Sequence, residues 1–481
     1  MGKPLLTVGL LLGSVAVTIE ATKTKQKPER QQGLLASATS PNKTSKTTSH
    51  PVATASGSVP DLRSCEALLD NHGRIPTIMI SVSQAIQIIK QQTRSLPAEQ
   101  VALAQFLGRF LAEDVIADSD LPPFDRSQMD GYAVRAEDVQ TVPARLKIVG
   151  ESAAGRGWHD RMKAGEAVRI MTGAPVPAGA DTVQQVELTR ELEGQNTVVI
   201  LEPAALGKSI VKHASEIKKG QTVLVAGERI NAAMMAALAS FGYAKIKVTQ
   251  QPRVAVLATG SELVPVDQQP GQDQIRDSNN YSIGAYAELA GATVERLPLA
   301  SDEIDLLSDE IAAAATRSDM VVTSGGVSMG VYDFTKDALK KLQAEIFFER
   351  VALRPGKPTV FARLPDGTLV FGLPGNPVSV SVTFNLFART ALLMMQGAQA
   401  PAMQSEWAIL RNPVKGTKDR DSYLPALLKT NDEGLQIAES LKWGGSSDFV
   451  GFARATGLII VPADSTMLEP NTRVRVMRLP S

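Results

Sequence analysis

The residues of this 481-residue chain best suited to chemistry stand in short loops, each placed after an apolar run. Glu262 follows RVAVLAT in the stretch ATGSEL, Asp277 falls in IRDSN, and Asp302 follows TVERLPLA. Asp333 closes SGGVSMGVYD, Arg354 and Lys357 share RPGKP, and Pro374, Asn376 and Pro377 share LPGNPVSV. Carboxylates, basic side chains and glycine-freed backbone N–H groups together suit a phosphate or other oxyanion bound with a hard divalent cation. Plainer readings exist for each. Asp302 and Glu303 fit the first turn of a helix, where acids complement the macrodipole. Asp277-Ser278-Asn279 fits a helix cap. Gly325 and Gly326 fit a tight turn. Gly-Asn-Pro fits a capping device. Only convergence on one edge would raise the chemical reading above these.

The elements around those loops supply that convergence. Apolar strands at 253–259, 293–299, 320–324 and 346–353 alternate with helices at 280–290, 302–316 and 334–343. A hairpin, TVFARL-Pro-Asp-Gly-TLVFGL, and a helix at 378–395 close the unit. Alternation of this kind predicts a doubly wound, mostly parallel α/β sheet over 252–398, with ligands beyond the carboxyl ends of the strands. No Walker A sequence and no opening G-x-G-x-x-G is present, which argues against a P-loop NTPase or a nicotinamide dehydrogenase.

The remaining chain divides by pattern. Residues 82–93 and 97–112 read as amphipathic helices, the second opened by Pro97. Residues 79–120 with 222–251 are expected to form one discontinuous helical domain. Residues 121–221 carry short apolar runs between glycines and prolines and predict a β-rich domain. Residues 403–481 predict a small all-β domain. Residues 1–78 stand apart. They hold an apolar run too short for a comfortable membrane span, then a Ser/Thr/Lys/Pro-rich tract. Their nine Lys/Arg against five Asp/Glu leave an opposite excess on the rest of a chain of zero net charge. This head reads as a disordered tail or an upstream start rather than an export signal, with no stable membrane insertion.

Composition excludes other classes. Zero net charge and 5% aromatic residues argue against a nucleic-acid platform. One cysteine, Cys65, precludes an internal disulfide or a cysteine-rich metal site. The four histidines show no metal-ligand spacing, so any metal would be a hard ion held by oxygens.

PPFDRSQMDGYAVR, RIMTGAPVPAGAD, ATGSEL, IRDSN, SGGVSMGVYDF, RPGKP and LPGNPVSV occur in that order. Over about residues 80–481 this series resembles the molybdopterin molybdenumtransferases of molybdenum cofactor synthesis, a family that also includes a scaffold domain of gephyrin. The resemblance implies a cytoplasmic, four-domain homodimer. It would insert molybdate into the dithiolene of adenylylated molybdopterin and release AMP with Mg²⁺. By the same resemblance Lys357, assisted by Arg354, would hold oxyanion charge. Asp302, with Glu262 or Asp333, would position Mg²⁺. Ser324, Gly325, Gly326 and Ser328 would contact the pterin or a phosphate, and Asp277, Pro374, Asn376 and Pro377 would line the same substrate site. Asp130 in MDGYA, assigned a catalytic part, and Thr172 in MTGAP would come from the β-rich domain of the other subunit. Ser446 in WGGSSDF would come from the C-terminal domain.

The sequence also departs from the family. Glu216 stands in HASEI where an aspartate is usual, preceded by Ser215 in place of glycine. Arg354 stands where lysine is frequent, and Pro425 replaces a second basic residue. Two rival readings stand beside it: a molybdopterin adenylyltransferase, which would share SGGVS but is opposed by MDGYA, MTGAP and the C-terminal β domain, and a non-catalytic scaffold; an adenylyltransferase is also a candidate contact.

Overall fold

The computed structural model describes residues 79–327 and 333–480. The 1–78 head and Ser328 therefore lie outside the described residues.

Six strands form the central sheet: β1 (Arg253–Ala258), β2 (Thr293–Arg296), β3 (Met320–Ser324), β4 (Glu345–Arg350), β5 (Pro358–Arg363) and β6 (Leu369–Leu373). Their order is β2-β1-β3-β6-β5-β4. The β2–β1, β1–β3 and β3–β6 pairs are parallel, whereas β5 runs antiparallel to both β6 and β4. All strands but β5 thus point the same way, and their carboxyl ends share one rim.

Alternation along the strands explains the layering, because successive side chains face opposite sides of a sheet. Val254 and Val256 of β1, with Met320 and Val322 of β3, pack on one face against helix α1 (Asn279–Leu289) and the long helix 377–395. Ala255, Leu257 and Val321 pack on the other face against α2 (Ile304–Ala315) and α3 (Phe334–Lys341). Burial on both faces is why these strands read as continuous apolar runs. The helix Pro377–Met395 is long and apolar enough to cross a membrane, yet 89% of it is buried inside the protein. It is a core helix, with a π-helical turn over Phe384–Ala388.

Two further six-stranded sheets lie in the β-rich and C-terminal segments. The β-rich segment orders its strands 182–185, 131–134, 166–170, 144–152, 197–200 and 189–192. The C-terminal segment curls five of its own strands between residues 405 and 478 into a sheet. Leu353–Arg354 joins that sheet, parallel to Asp421–Ser422.

The helix expected at 97–112 does not form. Ala98–Ala102 is instead a strand, antiparallel to Lys245–Thr249, followed by a 3₁₀ turn at Leu103–Gln105. Gly108 follows at φ +79°, a conformation no right-handed helix passes through. Val101, Phe106, Leu111, Ile230, Leu238 and Ile246 make one small core, so tertiary pairing outweighs local propensity here. The helix at Val82–Gln92 forms, closed by a Ser81–Gln84 capping box. Its Val82, Ala85 and Ile89 pack into the core of the α/β unit.

Candidate active site

A cleft of about 950 Å³ opens at the carboxyl rim of the sheet. Glu262, Asp277, Asp302, Ser324, Gly325 and Gly326 line it, as do Pro374, Asn376 and Pro377. They come from the loops after β1, β2, β3 and β6, which converge because those strands are parallel.

Two of the acids share one turn. The Asp302 carboxylate accepts the Ser261 N–H at 2.8 Å. The Glu262 carboxylate folds back over Gly260, where a Cβ would lie 2.6 Å from its Oε2. Gly260 leaves room for that approach. Asp277 has a different task. It is buried, and its Oδ1 accepts the Asn280 N–H at 3.1 Å, which caps α1.

The glycine pair after β3 is explained by close backbone packing. Gly325 has φ +96°, and a Cβ there would lie 2.3 Å from the Thr259 carbonyl oxygen. Gly326 has φ +65°, and its Cβ would lie 2.8 Å from Thr335 Oγ1. The Gly325 N–H donates to the Leu373 carbonyl at 3.2 Å, so it is spent inside the rim and does not serve as an anion donor. Thr335 Oγ1 donates to the Gly325 carbonyl at 3.2 Å and pins the turn to α3.

Other sequence candidates lie off the cleft lining. Asp333 precedes α3 beside Lys336, which pairs with Glu349. Burial pushes the Asp333 carboxyl up, against the pull of Lys336, and its Oδ1 has no hydrogen-bond partner among the described residues. Arg354 turns to the C-terminal segment, where its Nη1 donates to Thr417 Oγ1 at 2.6 Å. Lys357 is half-buried and has no acid partner among the described residues. Ser446 meets the rim through Asn376, whose Nδ2 donates to Ser446 Oγ at 2.9 Å. The Val378 N–H donates to the Ser446 carbonyl at 3.0 Å. The neighbouring Ser447 and Phe449 line the cleft directly. Asp448 holds that loop by accepting the Gly451 and Gly444 N–H groups, which keep its carboxyl below the usual carboxylate range.

Asp130 and Thr172 form their own pair in the β-rich segment. The Thr172 N–H donates to Asp130 Oδ1 at 2.6 Å and the hydroxyl at 3.0 Å. Those bonds, the backbone one first, hold the Asp130 carboxyl below its ordinary value. Gly131 is required beside it, since a Cβ would sit 2.0 Å from the Gln184 carbonyl. Glu216 accepts from Arg126 at 3.2 Å in the same segment. Asp125 joins the two loops by accepting the His213 N–H at 2.7 Å and Lys212 Nζ at 2.8 Å. No hydrogen bond among the described residues ties Asp130, Thr172 or Glu216 to the cleft of the same chain.

Some residues of the site were not singled out from the sequence. Asn279, Thr259, Arg276, Phe334, Ser447 and Phe449 line the cleft. Arg276 is the one basic side chain in that described lining, against the acids Glu262, Asp277 and Asp302. Its place in IRDSN, beside Asp277, was the available signal.

Comparison with known proteins agrees with this layout. Residues 80–242 match the MoeA N-terminal region (domain I and II). Residues 255–394 match a probable molybdopterin binding domain, and 408–479 match the MoeA C-terminal region (domain IV). A molybdopterin molybdenumtransferase of Staphylococcus aureus (strain Mu50) is 37% identical over 390 residues, 80% of this chain and 92% of the relative. One of Bacillus subtilis (strain 168) is 35% identical over 404 residues, 83% of this chain and 94% of the relative. A crystal structure of a molybdopterin biosynthesis MoeA protein from Pyrococcus horikoshii superposes with TM-score 0.72 at 26% identity, covering 83% of this chain and all of that one. Another from the same source gives 0.69 at 32% identity, over 84% of this chain and all of the other. Likeness of this extent, in sequence and in fold, means that the chain belongs to the molybdopterin molybdenumtransferase family.

Proposed function

We propose that this protein inserts molybdate into the dithiolene of adenylylated molybdopterin and releases AMP, with Mg²⁺ as the assisting cation. The observation that carries the reading is the charge of the rim cleft. Three carboxylates and one arginine line it among the described residues. Alone, such a lining repels a phosphoanhydride. With a divalent cation it becomes a phosphate site.

The donor set fits Mg²⁺. Glu262 and Asp302 bracket the single turn Gly260-Ser261. Mg²⁺ commonly takes one or two carboxylates and completes its shell with water and substrate phosphates. No cluster of three acids or histidines is therefore needed, and none occurs among the described residues. Asp333, off the lining, is the least supported of the three candidate ligands. The cation would supply charge neutralisation at the phosphoanhydride.

The chain's own groups do the rest. The Ser261 N–H fixes the Asp302 carboxylate. The Gly325-Gly326 turn sets the cleft floor. Lys357, half-buried without an acid partner among the described residues, is the cation for molybdate, with Arg354 holding the neighbouring loop. Asp130, Thr172 and Glu216 have no bond to their own chain's cleft among the described residues. A cytoplasmic homodimer that places them over a partner's rim gives them a role.

The test is a single incubation of protein, adenylylated molybdopterin, molybdate and Mg²⁺. Molybdate-dependent AMP release supports the transferase. Pyrophosphate release from ATP and free molybdopterin would identify an adenylyltransferase instead. Neither activity from folded protein would leave a scaffold.

A further inference from the structure

Asn279 is the first residue of α1, and 9% of it is exposed. Its Nδ2 donates twice, to Ser324 Oγ at 2.8 Å and to the Gly375 carbonyl at 2.7 Å. The amide thereby joins the start of α1, the end of β3 and the turn after β6. Ser324 Oγ also lies 3.5 Å from the Pro374 carbonyl, the outer limit for a hydrogen bond. The three joined loops each contribute to the cleft lining.

We propose that Asn279 is a positioning residue for this site: it sets the rotamer of Ser324 and the place of the Gly375-Asn376 turn by one shared amide. The inference rests on the cleft being the substrate site. Chemistry supports asparagine in particular. Both acceptors are oxygens, and a side-chain amide offers two N–H donors from one nitrogen. Aspartate would present an acceptor to the Gly375 carbonyl, and alanine would leave that carbonyl and Ser324 Oγ without their donor. The turn held by Gly375 also carries Asn376, which holds Ser446 of the C-terminal segment. One amide therefore acts on the floor of the cleft and, through Asn376, on the loop that reaches its edge.

The experiment compares wild type, Asn279→Ala, Ser324→Ala and the double variant as full-length protein. Two readouts are kcat/KM for AMP release and the equilibrium affinity for adenylylated molybdopterin without molybdate. A misplacement of about 1 Å costs on the order of 10²-fold. The expected loss for Asn279→Ala is therefore about 10- to 100-fold in kcat/KM, with a smaller loss for Ser324→Ala. The double variant should be no worse than Asn279→Ala, because groups that act as a unit are non-additive. Asn279→Ser restores a donor that falls short of Gly375. It should give an intermediate loss, and it replaces the alanine variant if that one does not fold. A folded Asn279→Ala protein within twofold of wild type in both readouts, or losses that multiply in the double variant, would overturn the proposal. If wild type binds the substrate but releases no AMP, the transferase reading fails while the four affinities still decide the role of Asn279.

Discussion

Gly325 offers a sharp test of how the cleft floor is built. It has φ +96°, and a Cβ would lie 2.3 Å from the Thr259 carbonyl oxygen. Gly367, in the hairpin between β5 and β6, has φ +98° and nothing within 4 Å of the same added atom. The two positions share their backbone strain and differ in the clash. Alanine at a left-handed position costs about 1–2 kcal/mol. Overpacking against backbone that cannot turn aside adds about 1–3 kcal/mol. The gain of about 0.4–1 kcal/mol from a stiffer unfolded chain applies to both and cancels in the comparison. Before that shared gain is subtracted, Gly367→Ala should cost about 1–2 kcal/mol and Gly325→Ala about 2–5 kcal/mol, so the two should differ by about 1–3 kcal/mol. Urea unfolding followed by circular dichroism reads both, as a shift of midpoint at constant slope. Equal costs at the two sites would refute the claim that close approach to Thr259, rather than turn geometry alone, demands glycine at 325.

Other expectations follow from the same contacts. Thr172→Val removes the hydroxyl donor to Asp130 and keeps the backbone one, so the depressed Asp130 pKa should rise part of the way to its ordinary value. A group depressed in the folded state adds stability above its unfolded pKa and loses it as pH falls through the folded one. Carbon-detected NMR titration of Asp130 reads the shift, and an unmoved pKa contradicts the assignment. Lys357→Ala should lower molybdate-dependent AMP release by roughly 10²-fold, the usual effect of deleting one oxyanion donor. Unchanged release and molybdate affinity would remove Lys357 from the site. Asp302→Asn should raise the Mg²⁺ concentration needed for half-maximal release, while Asp333→Asn should leave it close to wild type. The opposite order would place the cation at Asp333.

Much of the α/β unit was legible because its signals are local. Strands buried on both faces read as apolar runs, and the helices between them carry their own periodicity. That legibility extended to the rim, since parallel strands send their following loops to one edge. The pattern of strands and loops alone thus groups Glu262, Asp277, Asp302, Ser324 and Asn376, which line one cleft. What escaped depends on distant partners. Ala98–Ala102 forms a strand only because Lys245–Thr249 lies beside it, nearly 150 residues on. Leu353–Arg354 leaves the rim to pair with Asp421–Ser422, which turns Arg354 toward Thr417. Asn279 reads as one more cap residue until Ser324 and Gly375 are seen on either side of its amide. Gly108, inside the segment read as a helix, was the one local sign that the helix would fail.

The most direct measurement of the central claim is the stoichiometry of one turnover. Protein is mixed with adenylylated molybdopterin, molybdate and Mg²⁺, AMP is quantified by chromatography, and molybdenum in the isolated pterin product by mass spectrometry. A molybdenumtransferase working through this cleft predicts equimolar AMP and pterin-bound molybdenum, with both lost when molybdate or Mg²⁺ is withheld. AMP released without molybdenum incorporated, or released equally in the absence of molybdate, would contradict it.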